Sequence, residues 1–222
     1  YSSLYDSLFE KLRMLFYFIL PVTVVLIVLR KEIVDILIGY NKYLPKDVEI
    51  TKNALFYLAL SIPFFSASLL IVKFYYALRF SLIPMFIALF SSVLSIAVSY
   101  LLVNKLEVAS LSIGRSAGYL TQFILLMIFL IPGFRNKIDP GKNITKPVIE
   151  TVVLITISSV ILVFGLFLQQ WINISNVGKI DSILKIFLIG FIISVLYFIS
   201  TYLTNSAESK MVLNYITSKF KK

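Results

Sequence analysis

Residues 53–84 read NALFYLALSIPFFSASLLIVKFYYALRFSLIP, and this stretch decides the fold. From Ala54 to Val72 no residue is charged. At a 1.5 Å rise per residue, about 19 residues reach roughly 28 Å, the thickness of a bilayer's hydrocarbon core. Lys73 and Arg79 follow at once and flank a short Tyr-rich turn, after which Pro84 opens another apolar run. The pattern is that of a membrane hairpin with a tight, basic, aromatic corner.

Five similar runs surround it. Working outward, spans are expected at about 12–29, 54–72, 82–103, 108–131, 148–171 and 183–203. Residues Tyr1 to Arg13 carry Leu4, Leu8, Phe9 and Leu12 at helical spacing, and Ile33 to Tyr40 read as an interfacial amphipathic turn. The polar run Asn41 to Lys52 reads as a loop, and FRNKIDPGKNITKP marks the clearest boundary in the chain. The fold class is therefore all-α: a polytopic membrane bundle of six transmembrane helices. The expected organisation is residues 1–131 as four core spans, 132–147 as a cytoplasmic linker, and 148–222 as two further spans with a basic tail.

Composition agrees. The chain has 222 residues, of which 59% are hydrophobic and 14% charged, with a mean hydropathy of +0.93. A soluble domain carries roughly 25% charged residues, so a membrane protein is the class that fits. Cys and His are absent, which removes thiol chemistry and the usual zinc, haem and histidine-base sites. No cofactor or metal is expected, and no catalytic residues are indicated: there is no paired-carboxylate, Gly-rich-loop or nucleophile motif. The net charge of +10 lies between apolar spans, which points to anionic membrane lipids as partners rather than nucleic acid. The chain starts at Tyr1 and reads as an N-terminally truncated piece of a longer protein. With the N-terminus in the cytoplasm, that side holds the larger share of the 21 Lys and Arg residues, Lys73, Arg79, Lys142 and the tail lysines among them. Both termini are placed there by the positive-inside rule.

Arg115 is the only ionisable residue well inside an expected span, about seven residues or roughly 10 Å from the outer end of the fourth helix. Such a charge is costly unless it faces a wet cavity or a partner. Facing a cavity, its planar fork suits phosphate oxygens; the competing reading is snorkelling to outer headgroups. Ser91, Ser95 and Ser99 recur every fourth residue on the third span. They read either as a polar strip along a pathway or as small residues that let helices approach closely. Lys73 and Arg79 could meet headgroups or a substrate phosphate, or act as ordinary interface anchors. Pro21 and Pro63 could be hinges or static kinks.

Several of these residues resemble the MurJ (MviN) lipid II flippase family, within a superfamily that also exports other lipid-linked sugars and drugs. Leu20-Pro21, Gly39, Asp47, Thr51 and Ala54-Leu55 match its spacing. Lys73-Phe74-Tyr75-Tyr76-Ala77 with Pro84 is similar to its Arg-Ala-Phe-Tyr-Ala tract and following Pro. Leu111-Ser112-Ile113-Gly114 looks like its small-residue helix start. The chain departs from the pattern at Phe80, Val108, Leu120 and Arg115. The resemblance covers residues 8–131 and implies the final six of fourteen helices. It implies a lobe that works by alternating access with a missing N-terminal lobe, in the bacterial cytoplasmic membrane. It also implies a central cationic cavity for a lipid-linked substrate, and a groove for the polyprenyl tail made by the last two helices. On this reading Arg115, Lys73, Arg79, Ser95 and Ser99 are the substrate-binding candidates. An exporter of another lipid-linked oligosaccharide or of a drug, and a non-transporting scaffold, are the alternatives.

Overall fold

The computed structural model describes residues 2–39, 45–135, 145–171, 179–204, 206 and 208–210. Among them the chain is helical between short corners. Helix α1 is Ser2–Val28; α2 is Arg30–Val34, running into a π-helical turn at Asp35–Gly39. Then come α3 (Pro45–Ala77), α4 (Leu82–Leu106), α5 (Ala109–Arg135), α6 (Thr145–Trp171) and α7 (Lys179–Leu203). Six of these are long and apolar enough to cross a bilayer, as expected from hydropathy.

The helices form an open bundle. α5 lies against both α3 and α4, α1 joins α3 to α6, and α7 packs mainly on α6. α3 and α4 scarcely touch. Along α1, Leu8, Leu12, Phe16, Leu20, Val24 and Val28 are all buried. Their spacing of four makes one ridge inclined to the helix axis, which enters the core with Ala67, Ile71 and Phe74 of α3 and Leu154 and Ile161 of α6. Lipid tails are as apolar as these side chains, so packing contact rather than escape from water holds the ridge in place.

The α4–α5 pair depends on small residues. Gly114 and Gly118 of α5 face Ser91, Ser95 and Ser99 of α4. A Cβ built on Gly114 would fall 2.5 Å from the Ser95 carbonyl oxygen and 2.9 Å from the Ser99 amide nitrogen. On Gly118 it would fall 2.9 Å from Ser95 Cβ. This is a close backbone crossing of the Gly-x-x-x-Gly kind, and the serine strip supplies its other half.

The corners on either side of α4 are tight. After Ala77, the Phe80 amide donates to the Tyr75 carbonyl and the Arg79 amide to the Tyr76 carbonyl, both at 3.0 Å. Arg79 has φ 63°, so it occupies the left-handed position that glycine usually fills in such a helix cap. Lys73, Tyr75 and Tyr76 therefore belong to the last turns of α3, not to the corner where the sequence had suggested a Tyr-rich turn. At the far end Glu107, with φ 46°, turns the chain into α5.

Two further expectations are corrected. The polar run 41–52 is helical from Pro45 onward. Proline fits the first helical position, and Asp47 sits in the first turn, where the helix dipole favours a negative charge. Arg115 is not the sole ionisable group inside a span. Lys185 of α7 lies 3.2 Å from Glu32, itself 1% exposed, and Glu32 also accepts from Gln169 Nε2 at 3.0 Å. Arg13 of α1 pairs with Glu150 of α6 and with Glu208 beyond α7. These two clasps tie the α6–α7 pair to α1 and α2 at opposite ends. Most of the linker 132–147, including Lys142, and the tail 211–222 lie outside the described residues.

Two measurements check this packing. Gly114→Ala should lower thermal stability by roughly 2 kcal/mol, the usual cost of overpacking. Ser99→Gly should rescue it only in part, because the backbone contacts with α4 remain; full rescue would show that the seam is not a backbone crossing. Lys185→Met should cost about 3 kcal/mol by leaving Glu32 buried without its cation, while Glu32→Gln together with Lys185→Met should recover most of that loss. Additive losses in this cycle would contradict a buried pair.

Candidate functional site

Successive residues on α5 turn by about 100°, and that angle sorts its side chains. Gly114 and Gly118 face α4. Ser116, Tyr119, Phe123 and Leu126 face α3: the Ser116 hydroxyl donates to the Tyr57 carbonyl at 2.7 Å, and Phe123 packs on Phe64 with ring centroids 5.7 Å apart. Tyr119 packs on Phe65 at 4.6 Å, and the buried Tyr75 hydroxyl donates to the Leu126 carbonyl at 3.0 Å. Between those two faces lie Arg115 and Gln122. Because α3 and α4 diverge, these residues form the floor of an open V.

A groove of about 140 Å³ occupies the α4 side of this V. Ser91, Ser92, Ser95 and Ile96 form one wall; Arg115, Gly118, Tyr119 and Gln122 form the other. Arg115 is exposed, and its guanidinium lies 5.8 Å from the centre of the Tyr119 ring, close enough for a cation–π contact. Ser91 and Ser92 donate their hydroxyl protons to the carbonyls of Ile87 and Ala88 at 2.7 and 2.8 Å. No carboxylate lines the groove.

Of the residues chosen from sequence, Arg115 and Ser95 are therefore brought together. Ser99 lies one turn away, its hydroxyl donating to the Ser95 carbonyl at 2.9 Å, packed against Gly114. Lys73, in the last turns of α3, and Arg79, at the α3–α4 corner, are exposed and do not join this groove. Ser95 is 13 residues along α4 from Leu82, roughly 20 Å away along the axis. Pro63 is buried within α3. Pro21 lies in α1 and lines a second groove. Both helices run through their prolines.

The second groove was not foreseen with these walls. It is about 680 Å³, bounded by α1 (Phe18, Pro21, Val22) and α7 (Ile186, Phe187, Gly190), and almost wholly apolar. Also missed were Tyr119 and Gln122, although a signal existed. Positions 115, 119 and 122 share one helical face at the i, i+4, i+7 spacing. The apolar groove had no such signal, because it pairs segments far apart in sequence.

A family model described as lipid II flippase MurJ matches residues 2–182. A protein of Thermotoga maritima (strain ATCC 43589 / DSM 3109 / JCM 10099 / NBRC 100826 / MSB8), described as a probable lipid II flippase MurJ, is 26% identical over 136 residues. That alignment covers 61% of this chain and 28% of the relative, so the chain spans little more than a quarter of the relative's length. With residues 2–182 matched, most of its length, this chain belongs to the MurJ lipid II flippase family and is a multi-pass membrane protein.

Proposed function

We propose that this chain forms one lobe of a flippase that carries a lipid-linked peptidoglycan precursor, lipid II, across the bacterial cytoplasmic membrane. The observation that carries the reading is the pair of grooves on the same six helices. One is lined by three serines, a glutamine and an arginine; the other is larger and almost wholly apolar. A cargo with a charged head and a hydrocarbon tail needs both. Moving it requires no covalent step, so the proposal assigns no catalytic residue.

In this reading Arg115, Ser95 and Ser99 lie along the path of the head group. Lys73 and Arg79 meet headgroup or cargo phosphates at the cytoplasmic mouth, and the α1–α7 groove takes the polyprenyl tail. Pro21 and Pro63 are the proposed hinges: each proline leaves the carbonyl four residues earlier without its helical donor, which lowers the cost of bending. The proposed partners are the lipid-linked substrate, anionic membrane lipids and a second, N-terminal lobe. α4, the helix least covered by the rest of the bundle, leaves the open side that such a lobe would face. Residues 1–131 then form the core of this lobe, 132–147 a cytoplasmic linker, and 148–222 the two added helices and tail, with both ends in the cytoplasm.

Orientation is checked by thiol labelling, which is clean because the chain has no Cys. In intact cells a membrane-impermeant reagent should label Lys46→Cys and leave Ser81→Cys unlabelled until the membrane is opened. The reverse pattern would invert the proposed topology. Transport itself is checked in liposomes. Alternating access needs two lobes that close on each other, so these 222 residues alone should flip no lipid, whereas the intact native protein should. Flipping by the isolated chain would contradict the one-lobe reading.

A further inference from the structure

We propose that α2 and its π-helical turn form a strap at the Val28 end of α1, which stays with α6 and α7 and lets go of α3 when the lobe changes shape. The proposal rests on the flippase reading only for what drives that change.

The strap begins at Leu29, which is buried and sits in the sparsely populated bridge region at φ −95° and ψ 15°. The Ile33 amide still donates to the Leu29 carbonyl at 2.9 Å, so the chain bends there without losing its helical bonding. Five residues of α2 and five of the π-helical turn follow. Such turns are rare and recur at functional sites. From this short segment Glu32 reaches α6 and α7, while Arg30 and Asp35 reach α3. Elsewhere α3 has no substantial contact with α6 or α7. Apart from α1, the strap is what joins the two groups of helices.

Its two sides differ in kind. Glu32 and Lys185 lie 3.2 Å apart with side chains 1% and 7% exposed. Gln169 Nε2 donates to both carboxylate oxygens of Glu32, at 3.0 and 3.2 Å. Pulling such a pair apart strands a charge away from water, which is costly. On the other side Asp35 and Lys52 are also 3.2 Å apart, but their side chains are 24% and 15% exposed. Arg30 lies over the half-buried Phe56 ring at 4.9 Å. An ion pair that water can reach contributes little, because both members are rehydrated as it opens. Equal distances therefore stand for unequal strengths, and the α3 side parts first.

The core of the bundle fixes where α3 gives way. Its members from α3 are Ala67, Ile71, Phe74 and Tyr75, and all of them follow Pro63. Before Pro63 the ties of α3 include the strap and α5, whose Ser116 hydroxyl donates to the Tyr57 carbonyl at 2.7 Å. Pro63 has no amide proton for the Ala59 carbonyl, so bending there is cheap. The first half of α3 can then swing off the strap and take the attached part of α5 with it, while the second half stays seated on α1.

The test places two cysteine pairs in the intact native protein, otherwise free of cysteine, in membranes. Lys31→Cys with Glu49→Cys spans the strap and α3; Lys31→Cys with Leu184→Cys spans the strap and α7. All three positions are exposed. Spin–spin distances are read with and without lipid-linked precursor. The 31–49 distance should lengthen or split into two populations when the precursor is added, and the 31–184 distance should stay single and unshifted. A short bifunctional thiol reagent across 31–49 should stop flipping, and the same reagent across 31–184 should leave its rate unchanged. Asp35→Asn removes a charge from the releasing side, so the longer 31–49 population should grow several-fold even without precursor. A 31–49 distance that never changes, a 31–184 distance that shifts, or flipping that proceeds with 31–49 cross-linked overturns the strap. The flippase reading fails separately. If the wild-type protein flips no lipid, that reading falls, and the response to Asp35→Asn alone decides the strap: growth of the longer population upholds it, and no change overturns it.

Discussion

The crossing of α4 on α5 depends on the absence of side chains. Gly114 and Gly118 bring the backbone of α5 within van der Waals distance of α4, and lipid offers no hydrophobic drive to hold two apolar helices together. Contact area and short-range dispersion must serve instead, and both fall steeply once a methyl group intervenes. The Arg115 groove is a consequence of this crossing. Were α4 pushed outward, Ser95 would leave Arg115 and Gln122, and the groove would open into lipid.

The other side of the bundle is held differently. There α1 carries an inclined ridge of large residues, and the two tail helices are fixed at their ends by ion pairs rather than by a glycine seam. Glu32, Lys185 and Gln169 form a closed set in which each charge has its partner. Arg13 does the same at the opposite end, between Glu150 and Glu208. Between these two clasps α1 and α7 separate enough to leave the apolar groove. Charges that are paired hold helices in register, whereas Arg115, with no carboxylate partner among the described residues, lines an open groove. The same desolvation cost explains both arrangements.

How far the sequence could lead is visible residue by residue. Hydropathy located all six spans, because a bilayer demands about 20 apolar residues and little else satisfies that demand. It misjudged their ends. Lys46–Lys52 look polar, yet they continue α3, since helix propensity and the first-turn Asp47 act outside the hydrocarbon core. The serine strip was legible as a small-residue face, but Gly114 and Gly118 as its partners were not, because a seam needs the register of two helices. Glu32 and Gln169 are 137 residues apart, and no local pattern joins them. Lys185 lies near the start of a span, where a lysine normally snorkels; its buried position depends on Glu32 being there.

The claim on which the account turns is that the groove beside Arg115 lies on the route of the cargo head group and not against lipid. A single cysteine at Gln122, in the intact native protein in membranes, tests this most directly. The account predicts that a small hydrophilic thiol reagent modifies it, and that added lipid-linked precursor slows the reaction while phospholipid without the precursor does not. Modification only after the membrane is dissolved in detergent would place Gln122 against lipid and contradict the account.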